Sequence, residues 1–514
     1  MTDHNDNRVS FSARRILVGW VSAILLIACA TYLLQIATVR GAGLVVLIVA
    51  PLCLVFWALF GRGQWWAPLP IACSLGGMLY FGFRIYTHEL ALLLAILALL
   101  PYFTLSAVRK ENRPSLSVAI YLLFGYLCIH LLFSEYMCVQ EGTGGLGNVL
   151  RVYVYGLWAI AFAILFTRYG STRQLKYILM AMYIAAFTRV ALGVVSYLAP
   201  PQTIFYIPII NYILPGTLSA GMDLRASSLL LASLALCYSS FTKSGLARLF
   251  HLSVLIPAGY LLLLGGSRIS LAMFFGIILL WACVQRRFII LGTTAVSLAL
   301  LIGALNNDPA IIGETDLRIQ RTLSILVIKN QNTDIHKPIE GSDQWHYSLM
   351  NRGLNRWLSS PMTILFGNRV HRYDDSFYSP WVSIGTRVEL AAKMGSYESG
   401  LWTILAVTGI SGAILYALIF FGLLKSLIPA LISRGISDHA DAFCFLAVSG
   451  AAMWLLLCWI AGHFPSQELM LAVIAKAALD DRQRTEKQNG EVMAEDPDTA
   501  MGPLSRINTA EHTA

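Results

Sequence analysis

About fourteen stretches of the 514-residue chain stay apolar for close to the twenty residues that a bilayer-spanning helix needs. They lie near residues 16–37, 43–60, 67–83, 90–108, 115–134, 150–167, 177–199, 218–241, 249–265, 269–284 and 288–305, then 400–424, 440–461 and a weaker 465–479. A backbone in lipid must satisfy its own polar groups, so such stretches are helices. Composition agrees, since 57% of the residues are hydrophobic and 13% charged, where a soluble domain carries about a quarter charged residues. A secreted enzyme, a cytosolic enzyme and a disordered scaffold are thereby excluded. The expected fold is an all-α polytopic membrane protein, with about 12–14 transmembrane helices and one large extramembrane loop between the eleventh and twelfth.

The net charge of +9 would suggest nucleic acid as a partner for a soluble chain. Here the bases sit in short gaps between apolar runs, which is a topology signal, and no nucleic acid is expected. With the N-terminus inside, the inner gaps hold Arg8, Arg14, Arg15, Arg62, Arg109, Lys110, Arg113, Arg168, Arg173, Lys176, Lys243, Arg248, Arg286, Arg287, Lys425 and Arg434. The short outer gaps hold only Arg40, Arg84, Arg151 and Arg268. Both termini are then cytoplasmic. The first apolar run is too long for a signal-peptide core and is expected to stay as a helix. The organisation expected is a cytoplasmic tail (1–15), eleven helices (16–305), an outer loop domain (306–399), three helices (400–479) and a disordered cytoplasmic tail (480–514).

Eight of nine cysteines fall inside apolar runs and Cys138 lies in a short loop, with no CxxC pair. Neither zinc nor disulfides are expected. Asp374 and Asp375 are adjacent, but two acids in a loop are a weak metal signal, and His336, His346 and His371 lack ligand spacing. No metal or cofactor is expected.

Ionisable residues inside spans are costly and tend to be functional. Arg225, in Gly-Met-Asp-Leu-Arg-Ala-Ser-Ser, lies about two turns below the outer surface. A planar guanidinium there suits phosphate oxygens; the plainer alternative is an ion pair with Asp223. Arg268, in Gly-Gly-Ser-Arg-Ile-Ser, sits at an outer turn whose small residues admit close approach; otherwise it is an interfacial anchor. Arg189 lies mid-span and either lines the same cavity or pairs with a carboxylate. Glu398, in Gly-Ser-Tyr-Glu-Ser-Gly, stands where the outer loop re-enters the membrane. It is a candidate general base, or an acid favoured by a helix N-terminus. The outer loop itself is rich in Arg, Trp, Tyr and Asp, including Arg318, Arg321, Trp345, Arg352, Trp357, Arg369, Arg372, Trp381 and Arg387. Such a mixture suits a surface contacting sugars and phosphates, or an ordinary helical cap.

Taken together, an Arg near an outer helix end, a Ser-Arg turn, a large outer loop and a following helix with Gly409-x-x-Gly412 resemble the O-antigen polymerase and O-antigen ligase superfamily. The residues carrying the resemblance are 220–228, 265–270, 321–373 and 396–412. Arg225 matches the family's Arg-x-Ser-Gly stretch, with Ser228 in place of Gly. Ser267-Arg268-Ile269-Ser270-Leu271 matches its Ser-Arg element. Ligases carry a His-Asn pair where Glu398-Ser399 stands here, and that departure tilts the reading toward a polymerase.

The resemblance implies an enzyme of a bacterial inner membrane. It would join polyprenyl-diphosphate-linked oligosaccharides at the periplasmic face, in O-antigen, capsule or exopolysaccharide biosynthesis. The donor partner would be an undecaprenyl-diphosphate-linked oligosaccharide within the lipid bilayer, with a chain-length regulator or flippase alongside. It further implies Arg225 and Arg268 on the diphosphate, Glu398 as base, and Arg189, Arg321, Trp345, Arg352 and Arg369 as substrate-binding residues, without metal. A ligase acting on a lipid or protein acceptor is the near alternative. A transporter or flippase of lipid-linked sugars is the alternative of another class, and would string its charges along a path through the bilayer.

Overall fold

The computed structural model describes residues 78–80, 84–86, 117–141, 150–169, 172–198, 222–265, 267–308, 315, 317–326, 333–371, 383–459 and 464–495. The expected spans at 16–37, 43–60 and 90–108 lie outside these residues. Within the expected span 67–83, however, Met78–Tyr80 (β1) is a strand paired antiparallel with Arg84–Tyr86 (β2), Leu79 opposite Ile85. Tyr80, Ile85 and Tyr86 are strand-favouring residue types, and Gly77 and Gly82 weaken a helix there. All other regular structure among the described residues is helical.

The chain divides into two units: residues 1–109 with 178–348, and residues 110–177 with 349–514. The first unit contains α4 (Met222–Phe241), α5 (Gly245–Ser253), α6 (Leu255–Leu264), α7 (Arg268–Val284), α8 (Phe288–Asn307) and α9 (Leu317–Leu323). The second contains α1 (Val118–Gln140), α2 (Leu150–Tyr169), α11 (Pro361–Phe366), α12 (Ile384–Lys393), α13 (Gly400–Arg434), α14 (His439–Leu457) and α15 (Ser466–Glu495). Helices α3 (Thr172–Leu198) and α10 (Thr333–Trp357) carry the chain from one unit to the other.

Five described helical stretches are long and apolar enough to cross a membrane: α1, α5 with α6 taken together, α8, α13 and α14. Helix α7 is apolar but shorter. The sequence places single helices at 249–265 and 400–424, and both are interrupted. Between α5 and α6, Pro257 has no N–H for the Ser253 carbonyl, and Val254, at φ −62° and ψ −21°, separates the two helices. In α13, Gly409 takes φ 65° and ψ −171°. Trp454 shows how sharp that bend is. A Cβ on Gly400 would stand 2.8 Å from the Trp454 ring, and the same ring stacks on Phe420 at 5.9 Å. A straight helix would separate residues 400 and 420 by about 30 Å. The two limbs of α13 therefore fold into a V with Gly409 at its apex.

The core of the first unit joins Ala186 and Val190 of α3 to Leu231 and Ala235 of α4 and to Ala258, Leu261 and Leu264 of α6. Alanines at the contacts let apolar helices approach closely. In the second unit α15 is central. Residues 469–475 are all buried, so this short apolar stretch is apolar all round because it is packed all round.

Helix α15 also continues to Glu495, through residues whose composition suggests a disordered tail from Asp480. Electrostatics explains the extension. Arg482 bonds Asp438 at 2.8 Å and reaches Asp441 at 3.4 Å and Glu486 at 3.0 Å. Asp441 is buried and also accepts from Ser437 Oγ at 2.5 Å. Bonding to Arg482 holds the Glu486 carboxyl below the usual carboxylate range. Arg482→Ala leaves buried Asp441 without its cation, a loss on the order of 2 kcal/mol. Limited proteolysis should then cut beyond Asp480 several-fold faster than in the wild-type protein, by the fraying of a helix end.

Candidate functional site

The first unit brings two of the expected arginines to one turn. The stem of Arg225, from α4, lies over Gly265 at the end of α6; a Cβ there would stand 2.9 Å from Arg225 Cγ. Arg268 follows three residues later and opens α7. Ser267 caps that helix, accepting from Ser270 N at 3.3 Å and from Ser270 Oγ at 3.0 Å. Gly265 thus serves the close approach expected of the Gly-Gly-Ser-Arg stretch. Thr322 Oγ1 donates to the Leu263 carbonyl at 2.9 Å and pins α9 to the same end of α6. Arg321, beside it, is exposed, while Arg225 and Arg268 are half-buried. A half-buried pair of guanidiniums beside a helix N-terminus is suited to an anion.

Arg189 is 1% exposed and stands between core residues Ala186 and Val190 of α3. Trp345 is half-buried on the part of α10 in this unit. Asp223, the alternative partner of Arg225, has a side chain outside the described residues, as do Asp374, Asp375, Arg372 and Trp381.

Arg352, Arg369 and Glu398 belong to the second unit. Arg352 pairs with Glu389 and Arg369 with Glu141. Glu398 is half-buried and takes φ 52°, a left-handed conformation uncommon for a residue with a Cβ. It precedes Ser399, which caps α13, accepting from Trp402 N at 3.5 Å and donating to the Cys458 carbonyl at 2.8 Å. Strained backbone of this kind clusters at functional sites.

The second unit also contains an arrangement that the sequence does not announce. Gly367 (φ 79°) and Gly409 (φ 65°) meet backbone to backbone. A Cβ on Gly367 would stand 2.2 Å from the Val407 carbonyl oxygen, and one on Gly409 would stand 2.4 Å from that of Leu365. The break frees carbonyls of α13, and they find donors. Ala406 O accepts from Asn368 N at 2.7 Å and from Asn368 Nδ2 at 3.2 Å. Thr408 O accepts from Tyr126 Oη at 2.6 Å.

A polar stripe on α1 holds the segment 366–371. Tyr126 Oη also reaches Phe366 O at 3.3 Å, Ser134 Oγ accepts from Val370 N at 3.4 Å, Cys138 Sγ approaches Val370 O at 3.9 Å, and Glu141 pairs with Arg369. His130, with its ring 4.7 Å from that of Tyr126, is buried and its Nδ1 finds no hydrogen bond. Tyr126 and Glu141 are separated by about 22 Å of helix. The segment after α11 therefore runs along α1, one of the helices long and apolar enough to cross a membrane. Four-residue spacing of Tyr126, His130, Ser134 and Cys138 in an otherwise apolar helix was the available signal.

At the end of this segment His371 lies among Arg369, Arg356 and Lys393, with Glu141 nearby. Burial first, then these cations, hold the His371 imidazole below its ordinary range, and Glu141 opposes them. Hydrogen bonding from Arg369 holds the Glu141 carboxyl low in turn. Among the described residues no group of three or more His, Cys, Asp or Glu side chains is gathered to hold a metal ion. No protein-family model, curated protein or solved structure matches the chain.

Three outcomes are expected. Gly367→Ala or Gly409→Ala forces a Cβ into backbone at positive φ, a loss of several kcal/mol, and should abolish the monodisperse peak in size-exclusion chromatography. In NMR titration, Glu141→Gln should lower the His371 pKa further and Arg369→Gln should raise it. Because the folded His371 resists protonation, acidification below the unfolded imidazole value of about 6.5 should destabilise the second unit.

Proposed function

We propose that this chain is a membrane glycan transferase of the O-antigen polymerase type, joining oligosaccharides carried on polyprenyl diphosphate. The observation that carries the reading is the gathering of Arg225 and Arg268 at one glycine-lined turn between apolar helices. A diphosphate is already a good leaving group and needs charge stabilisation more than an acid, which two guanidiniums supply. In the proposed step an acceptor sugar hydroxyl attacks the anomeric carbon of the donor. The bond from that carbon to the diphosphate oxygen breaks, and its electron pair leaves with the lipid diphosphate. The hydroxyl proton is lost to water. A single displacement of this kind inverts the anomeric configuration. The periplasmic face of the membrane follows from the family resemblance.

A ligase shares this donor and differs in acceptor; the absence of a histidine at Glu398-Ser399 favours the polymerase. A transporter of lipid-linked sugars is supported by one observation, the interrupted helix at Gly409, since broken helices frame substrate sites in carriers. Rates of chain lengthening on a purified lipid-linked oligosaccharide separate these readings. Arg225→Ala and Arg268→Ala should each lower the rate by about 100-fold or more, and Arg225→Lys should not restore it, because an ammonium lacks the planar fork. Undiminished lengthening in all these variants would sink the reading.

A further inference from the structure

The cations around His371 are more numerous than the fold needs. Arg369 donates to Glu141 through Nη2, and its Nη1 is buried with no hydrogen-bond partner. Arg356 donates to the Ala392 carbonyl, and its own carbonyl accepts from Asn368 Nδ2 at 2.9 Å. Lys393 contributes only its carbonyl to the fold here, accepting from His371 N at 2.9 Å, and its side chain is exposed. Arg352 and Glu389 stand beside Tyr397 at the edge of the group. Among the described residues, four permanent cations in this group face two carboxylates, Glu141 and Glu389, a positive surplus. An unspent guanidinium N–H in such a surplus is suited to phosphate oxygens.

Directly before this group in the chain, α11 turns its apolar side chains outward. Met362 is 65% exposed, Leu365 48% and Phe366 44%, and Leu358 is exposed as well. The segment joining α11 to Arg369 climbs α1 from the level of Tyr126 to that of Glu141. Exposed apolar surface therefore lies toward Tyr126 along α1, and the cations lie toward Glu141. A free anion would use only the upper part of this arrangement. An amphiphile uses both.

We propose that the second unit binds an anionic lipid, its phosphate headgroup held by Arg356, Arg369, His371 and Lys393 and its chain lying on Met362, Leu365 and Phe366. The site involves neither Arg225 nor Arg268, and it stands whether or not the chain transfers glycans. Protonation of His371 adds to the charge that meets the phosphate, with Arg356, Arg369, Lys393 and Glu141 as its charged neighbours.

Native mass spectrometry of the full chain in detergent tests this with three probes: phosphatidic acid, phosphatidylcholine and inorganic phosphate. Phosphatidic acid should bind about 10-fold more tightly than phosphatidylcholine, a difference of about 1.4 kcal/mol. Inorganic phosphate should fail to displace it at equal concentration. Arg369→Gln should weaken phosphatidic acid binding by about 10-fold, the scale of one charge-assisted contact. Because Arg369 also anchors the fold, Lys393→Gln is the second variant; it removes a charge without touching the backbone bonds and should weaken binding by about 3-fold or more. Lys425→Gln, far along α13, should leave binding unchanged. Equal affinity for phosphatidylcholine, displacement by inorganic phosphate, or a Lys393→Gln variant that binds like wild type would each overturn the assignment.

Discussion

The second unit depends on how its chain satisfies backbone carbonyls at the bend in α13. In an apolar layer an unbonded carbonyl costs several kcal/mol, so a helix can break there only where other protein groups reach the gap. At Gly409 they do. Asn368 donates twice to Ala406 O, and Tyr126 Oη donates to Thr408 O. Two glycines at positive φ let the backbones approach to the point where no side chain fits between them. The V of α13, the packing of α11 against it and the polar stripe on α1 are thus joined by shared hydrogen bonds.

That solution fixes the polar ends of the segments it joins. The segment held by α1 ends at Arg369 and His371, and the first limb of α13 begins just after Glu398. Glu398 is held in a left-handed conformation by the turn between Tyr397, whose hydroxyl donates to Ala392 O at 3.1 Å, and Ser399, whose hydroxyl donates to Cys458 O. The first unit solves a different problem with the same residue type. There Gly265 makes room for the aliphatic stem of Arg225 beside a capped helix start. Arginine is costly within an apolar layer, and a close-fitting seat is what such a residue requires to stay in place.

Much of the helical architecture was legible in hydropathy. The helices at Leu150–Tyr169, Arg268–Val284 and Phe288–Asn307 begin and end within a few residues of the apolar runs that encode them, because lipid-length runs leave the backbone little choice. The small residues before Arg268 signalled a close approach, but not that the approaching group is the stem of Arg225. The bend at Gly409 was not legible. Gly409-x-x-Gly412 reads the same in a straight helix as in a V, and only the donors Tyr126 and Asn368, distant in sequence, decide between them. The packing of α11 against α13 was hidden because six residues give too short a pattern to register. The extension of α15 past Asp480 was hidden because Arg482, Asp438 and Asp441 look like solvated charges until the fold brings them together.

The most direct measurement is the stoichiometry of leaving group to bond. In proteoliposomes holding the wild-type protein and a polyprenyl-diphosphate-linked oligosaccharide, free lipid diphosphate and lengthened glycan are counted together. A glycan transferase of the proposed type releases one lipid diphosphate for each new glycosidic bond, with inversion at the anomeric carbon. Movement of the oligosaccharide across the bilayer with no lipid diphosphate released would contradict it.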